Sequence, residues 1–137
     1  METTYSYFPH DADIGIIGRG PTLEAAMVAA ASAMFAVMVD LAAVRPETAV
    51  QIGFEEPDIE LALVTWLNRL LAEARAAGLV FSRFRLRHRD GQWSGEAWGE
   101  PWRPELERGV EVKGATLTGL AATPVDGGWE VRCVVDV

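Results

Sequence analysis

Apolar and polar positions follow two rhythms along this chain. Up to about residue 78 the longer apolar runs recur at steps of three and four, the spacing of one helical face. Leu23, Met27, Ala30, Met34 and Met38 make one such stripe. Thr22 stands where a hydroxyl can cap that helix, and Glu24 sits in its first turn, where a negative charge complements the helix dipole; the pattern predicts a helix to about Val39. A second stripe comprises Leu63, Trp66, Leu67, Leu70, Leu71 and Ala74. Pro57 and Asp58 open it, and Gly78 ends it as a left-handed stop residue. Asn68, Arg69, Glu73 and Arg75 fall on the opposite side, expected to face water.

From Leu79 the period becomes two. Phe84, Leu86 and His88 alternate with Arg83, Arg85, Arg87 and Arg89, and Asp90 with Gly91 supplies a two-residue hairpin turn. That turn sets a register with Arg85 opposite Glu96 and Arg83 opposite Trp98, so an ion pair and a cation–π contact account for part of the arginine stripe. Shorter strands are expected at Tyr5 to Phe8, Ile14 to Ile17 and Ala49 to Phe54. A last hairpin is expected to join Val110–Thr123 to Trp129–Val137 through a turn near Asp126, Gly127 and Gly128, with Pro101–Gly109 a loop before it. The class is α+β: two helices packed on one largely antiparallel sheet, in a single domain over residues 1–137.

Composition narrows the function. Half of the residues are apolar and 23% are charged, as in a chain that can bury a core. The formal net charge of −8 repels a bare nucleic-acid backbone on average, so any role with RNA is expected to be indirect. Cys133 is the single cysteine, which excludes an internal disulfide and a multi-thiolate metal site and fits a reducing, cytoplasmic setting. Met1 to Phe8 has neither a basic start nor a long apolar run, and no charge-free stretch reaches the roughly 18 to 20 residues that span a bilayer. Neither secretion nor membrane insertion is expected.

Two stretches carry candidate chemistry. His10, Asp11 and Asp13 place an imidazole and two carboxylates on one turn. Such oxygen-rich groups suit a hard cation, and they equally suit a solvated turn whose acids bond local N–H groups. Asp136 stands among Val134, Val135 and Val137, where a β-branched residue would continue the strand. Beside the Val137 carboxylate it brings two negative groups together, which either a cation or solvent can relieve. Lys113 breaks an apolar run and either pairs an acid or faces water. No Gly-x-Ser-x-Gly, phosphate-loop or His-Glu-x-x-His pattern is present.

From end to end the sequence resembles the archease family. His10, Asp11, Ala12, Asp13, Ile14 and Gly15 resemble that family's Asp-His-Thr-Ala-Asp-Ile-Gly motif. Ala33, Met34 and Phe35, followed by Met38, Val39 and Asp40, are similar to its Ala-Met-Phe and Met-Thr-Asp run. Trp66, Leu67 and Leu70 resemble its second helix, Gly99 and Glu100 its Gly-Glu pair, Val112 to Thr116 its Val-Lys-Ala-Val-Thr strand, and Asp136 with Val137 its acidic Asp-Ile ending. The chain departs from the pattern at Pro9 for the first Asp, Asp11 for Thr, and Leu117 with Thr118 for a Tyr-His pair.

The resemblance implies a non-catalytic protein cofactor that promotes nucleotide charging by an RtcB-type RNA ligase in tRNA splicing or RNA repair. It also implies a divalent metal, Ca²⁺ first, held by Asp13, Asp136 and Val137, with His10, Asp11, Asp40, Glu100 and Lys113 as supporting or partner-contact residues. Two other readings stay open: a small metal-dependent hydrolase using His10, Asp11 and Asp13 as acid and base, and a metal-free interaction module that kept the fold.

Overall fold

A computed structural model describes residues 1–137. In chain order the elements are β1 (Thr4–His10), β2 (Asp13–Gly20), α1 (Leu23–Met38), a 3₁₀ turn (Leu41–Ala43), β3 (Thr48–Glu55), α2 (Ile59–Ala77), β4 (Leu79–Arg89), β5 (Gln92–Pro101), β6 (Gly114–Ala115), β7 (Ala121–Val125) and β8 (Gly128–Asp136). The expected class holds, with two helices on antiparallel strands. Those strands divide into two sheets rather than one: β1-β2-β8-β6, with β7 also on β8, and β3-β5-β4.

The helix ends follow the capping chemistry. Thr22 accepts the Ala25 N–H at 3.1 Å, and Asp58 accepts the N–H groups of Glu60 and Leu61. Gly78 closes α2 in the left-handed region at φ 68°. The β4–β5 hairpin also takes the expected register, Arg85 opposite Glu96 and Arg83 opposite Trp98, about a turn in which Asp90 and Gly91 both have positive φ. A bulge at Ser82 shifts the pairing only beyond that point.

Three expectations need correction. The apolar stripe of α1 is too narrow a description, because Ala26, Ala29, Ala31, Ala33 and Phe35 are buried as well as Leu23, Met27, Ala30 and Met34. This helix packs against strands of both sheets and against α2. Its alanines let it approach closely: a Cβ on Gly18 would collide with the backbone of Ala26 and Ala30. Trp66, fully buried on α2, ties the helices together by donating its indole N–H to the Met27 carbonyl at 3.1 Å.

The second correction concerns the last hairpin. Val110 to Lys113 are not strand, and residues 116–120 form a turn between β6 and β7 that stays bonded to Val134 of β8 through Thr116 and Thr118. Backbone groups of this segment find other partners: Gly109 and Val110 donate to Met38 and Val37, the Arg75 guanidinium donates to the carbonyls of Val112 and Lys113, and only the Lys113 N–H reaches β8, at the Asp136 carbonyl. A ladder is unnecessary where these partners exist.

The third correction follows from the second. Asn68 and Arg75 do not simply face water. Asn68 exchanges two hydrogen bonds with the Ala115 backbone, at 2.8 and 3.1 Å, so α2 grips the segment that forms β6.

Candidate functional site

Sheet register brings the sheet-end acids into one row. His10 pairs with Asp13 across the two-residue β1–β2 turn. Ile14 pairs with Val135, so Asp13 and Asp136 are the next positions outward on β2 and β8. Gly114 pairs with Asp136 on the far side, and the Lys113 N–H donates to the Asp136 carbonyl at 2.8 Å. Ile16 and Cys133 are fully buried toward α1, and side chains alternate along a strand. Asp13 and Asp136 therefore belong to the opposite face, with Gly15 and Val134.

One contact closes the row. The Val137 N–H donates to Asp13 Oδ1 at 3.2 Å, which fixes the β2 carboxylate against the end of β8. Asp13 is half-buried and Asp136 exposed, so both keep oxygens open to solvent. His10 Nδ1 lies 4.0 Å from Asp11 Oδ2, and Asp11 is exposed at the turn with φ 51°. The packing behind the row explains Gly15: the Phe8 ring occupies the space a Cβ there would need, and the Arg132 guanidinium lies 4.2 Å over that ring. A glycine within an apolar strand was the signal for this close approach.

Donor chemistry suits a hard cation. The candidate ligands are carboxylate oxygens of Asp13 and Asp136 with the carboxylate or carbonyl of Val137, all oxygen, as Ca²⁺ prefers. No group of three or more His, Cys, Asp or Glu side chains converges anywhere in the chain. A cation at the row would thus complete its shell with backbone oxygens and water. A cavity of about 550 Å³ lies elsewhere, among Phe35, Met38, Leu71, Trp102 and Arg108, with none of the sequence-named site residues in its lining, and Asp40 lines a second cavity of about 330 Å³ with Val37, Glu107 and Arg108.

The remaining named residues are placed apart from this row. Asp40 caps the 3₁₀ turn by accepting the Ala42 N–H at 3.1 Å, and no hydrogen bond or ion pair links it to Asp13 or Asp136. Glu100 belongs to the other sheet and is 4% exposed. Its Oε2 accepts the Arg45 N–H at 2.6 Å and its Oε1 accepts the Arg103 Nε–H at 2.7 Å. Those bonds, that of Arg103 first, hold its carboxyl below the usual range, although burial works the other way. Lys113 is exposed, and only its backbone touches the row. Sequence reasoning missed Asn68 and Arg75, the α2 residues that hold residues 112–115 beside Asp136; both are polar residues next to a buried stripe, which a period count assigns to solvent.

The model of the archease protein family matches residues 5–137 of this chain. The chain belongs to the archease family. It is 36% identical over 139 residues to a protein named archease from Methanosarcina acetivorans, covering 97% of this chain and 95% of that one. With the Pyrococcus furiosus archease it shares 35% identity over 139 residues, covering 97% and 98%. The solution structure of Methanobacterium thermoautotrophicum protein 1598 superposes with a TM-score of 0.86 at 29% identity, covering 97% of this chain and 98% of that chain. A crystal structure of an archease from Thermotoga maritima, described there as a possible chaperone, shares the fold with a TM-score of 0.67 at 16% identity, covering 95% and 94%. No helix of this archease is long and apolar enough to cross a membrane.

Proposed function

We propose that this archease is a non-catalytic protein cofactor of an RtcB-type RNA ligase, promoting nucleotide charging and turnover, and that its sheet-end acids hold a divalent cation, Ca²⁺ first. The observation that carries the reading is the hydrogen bond from the Val137 N–H to Asp13 Oδ1, which brings the two acidic motifs of the family resemblance together from opposite ends of the chain. Asp13 and Asp136 would hold the cation, with Val137 supplying a carboxylate or carbonyl oxygen. When bound, the cation supplies positive charge that offsets the repulsion among these acids. The chain itself supplies position: Asn68 and Arg75 fix residues 112–115, β6 pairs with the end of β8, and Asp13 secures that end to β2. The result is a firm acidic edge suited to contact with a partner protein. A cytoplasmic setting agrees with the lone buried Cys133, whose thiol burial pushes up to about 12.

Multiple-turnover ligation by the RtcB-type ligase of the same organism tests the proposal. Adding the wild-type chain should raise the number of turnovers per ligase, and Asp13→Asn should remove most of that gain while leaving the chain folded, with a metal-free melting temperature close to that of the wild type. Equal turnover with and without the chain contradicts the cofactor role. Hydrolysis by the purified chain alone, lost in Asp13→Asn, would favour the hydrolase reading instead.

A further inference from the structure

The outer face of the three-stranded sheet concentrates a third of the chain's cations on one strand. Arg83, Arg85, Arg87 and Arg89 are four of its twelve Lys and Arg residues, and all four are exposed on β4. At about 3.4 Å per residue they form a row roughly 20 Å long with a charge every ~7 Å. Cross-strand pairing accounts for only half of them. Arg85 pairs with Glu96, and Arg83 and Arg85 lie 5.8 and 5.9 Å from the centre of the Trp98 ring. Arg87 and Arg89 face Ser94 and Gln92 and make no ion pair or side-chain hydrogen bond. Beyond them the face continues with exposed Ala49, Gln51 and Gly53 on β3, and its one acid there, exposed Glu55, lies across Gln92 from Arg89, so the four arginines outnumber the two carboxylates of Glu55 and Glu96.

We propose that this face binds the phosphate backbone of a single nucleic-acid strand along the β4 arginine row, with Arg87 and Arg89 as its freest phosphate ligands. Guanidinium forks match phosphate geometry, and a straight, evenly spaced row fits a polyanion of regular charge spacing. Trp98, half-buried at one end of the row, offers the single aromatic platform on which a base can stack. A protein partner fits less well, because a protein interface is built around apolar anchors. The exposed large apolar side chains are Met1, Tyr5, Tyr7, Leu61, Val110, Leu117 and Val125, and none of them belongs to this sheet. The net charge of −8 repels polyanions from the molecule as a whole and leaves this face as the place where one can sit. The proposal does not depend on the metal site or on the ligase.

Fluorescence anisotropy with a labelled 12-nucleotide oligouridylate tests it, at low salt and across a salt series. The wild-type chain should bind saturably, with log affinity falling against log salt at a slope of about −2 to −3, as expected for three or four neutralised phosphates. Reversing Arg87→Glu and Arg89→Glu together should weaken binding by about tenfold or more and reduce the slope by roughly 1.4. Arg108→Glu with Lys113→Glu, the same change in net charge elsewhere, should weaken it much less. If the reversal unfolds the chain, Arg87→Ala with Arg89→Ala removes the charges without adding acids and should still weaken binding. No saturable binding by the wild type, equal losses in the two charge-reversal pairs, or a labelled oligoglutamate bound as tightly as the RNA with the same dependence on Arg87 and Arg89, overturns the proposal.

Discussion

Two acidic places in this molecule, the Asp13–Asp136 row named from the sequence as metal ligands and Glu100 named as a supporting residue, lie in different sheets and differ in burial. Glu100 is enclosed, and both its oxygens are committed to Arg45 and Arg103. Arg103 in turn donates to the Ala43 carbonyl, so the cluster stitches the 3₁₀ turn to β5 and the loop after it. Asp13 is half-buried with a single neutral donor, and Asp136 is exposed with no side-chain partner. A carboxylate taken out of water needs charge and hydrogen bonds from its own chain, whereas one at an edge can wait for them from outside. Full satisfaction marks a structural acid, and partial satisfaction marks a candidate ligand.

The largest expected effect follows from breaking the enclosed cluster. Glu100→Ala leaves the Arg45 N–H without its acceptor and the Arg103 guanidinium without its carboxylate, hydrogen-bonded only to the Ala43 carbonyl, and should lower the melting temperature more than any sheet-end substitution. Thermal denaturation followed by circular dichroism checks the ranking. Asp13→Asn should change metal-free stability by about 1 kcal/mol or less, the worth of one hydrogen bond, and Asp136→Asn, whose side chain makes none, should change it less. If Asp13→Asn proves as damaging as Glu100→Ala, the sheet-end row is structural and the contrast collapses.

Acid titration sharpens the same contrast. The carboxyl of Glu100 is held low in the folded chain, chiefly by Arg103, so its contribution is present above the unfolded carboxylate range and lost as pH falls through the folded value. Stability measured toward acid should fall less steeply in Glu100→Gln than in the wild type. At the alkaline end Tyr7 behaves in the opposite sense. Burial, and then neighbouring Tyr5, pushes its phenol from 10.0 to about 12, so its contribution is present below the unfolded value and lost as pH rises toward the folded one. Tyr7 is 44% exposed, and solvent screening keeps this effect the smallest of the set. Tyr7→Phe should weaken the alkaline fall while removing the bond to the Ala33 carbonyl, which denaturant melts at pH 8 and above pH 10 will separate.

Much of this fold was legible where local chemistry is decisive. Thr22, Asp58 and Gly78 bound the helices, and Asp90–Gly91 set the β4–β5 register, because caps and two-residue turns act within a few residues. What escaped was set by distant packing. Counting apolar spacing assigned α1 one narrow buried stripe, and the second sheet and α2 explain why Ala26, Ala29, Ala31 and Ala33 are enclosed too. The segment from Val110 to Lys113 reads as strand by composition, yet Arg75 on α2 and the last turn of α1 take its backbone groups. At the site, Asp13 was legible as part of a polar turn with His10 and Asp11 and Asp136 as an acid among valines, and their shared row required the β2–β8 register.

Calcium titration by thermal shift on three proteins, the wild type, Asp136→Asn and Glu100→Gln, tests the central claim most directly. A ligand that binds only the folded state stabilises it by mass action, by about 2.7 kcal/mol at a hundredfold excess over its dissociation constant. Calcium should therefore raise the melting temperature of the wild type, raise that of Glu100→Gln by the same increment from a lower start, and act weakly on Asp136→Asn. An equal calcium response in wild type and Asp136→Asn, or none in the wild type, would contradict the assignment of the sheet-end acids as the cation site.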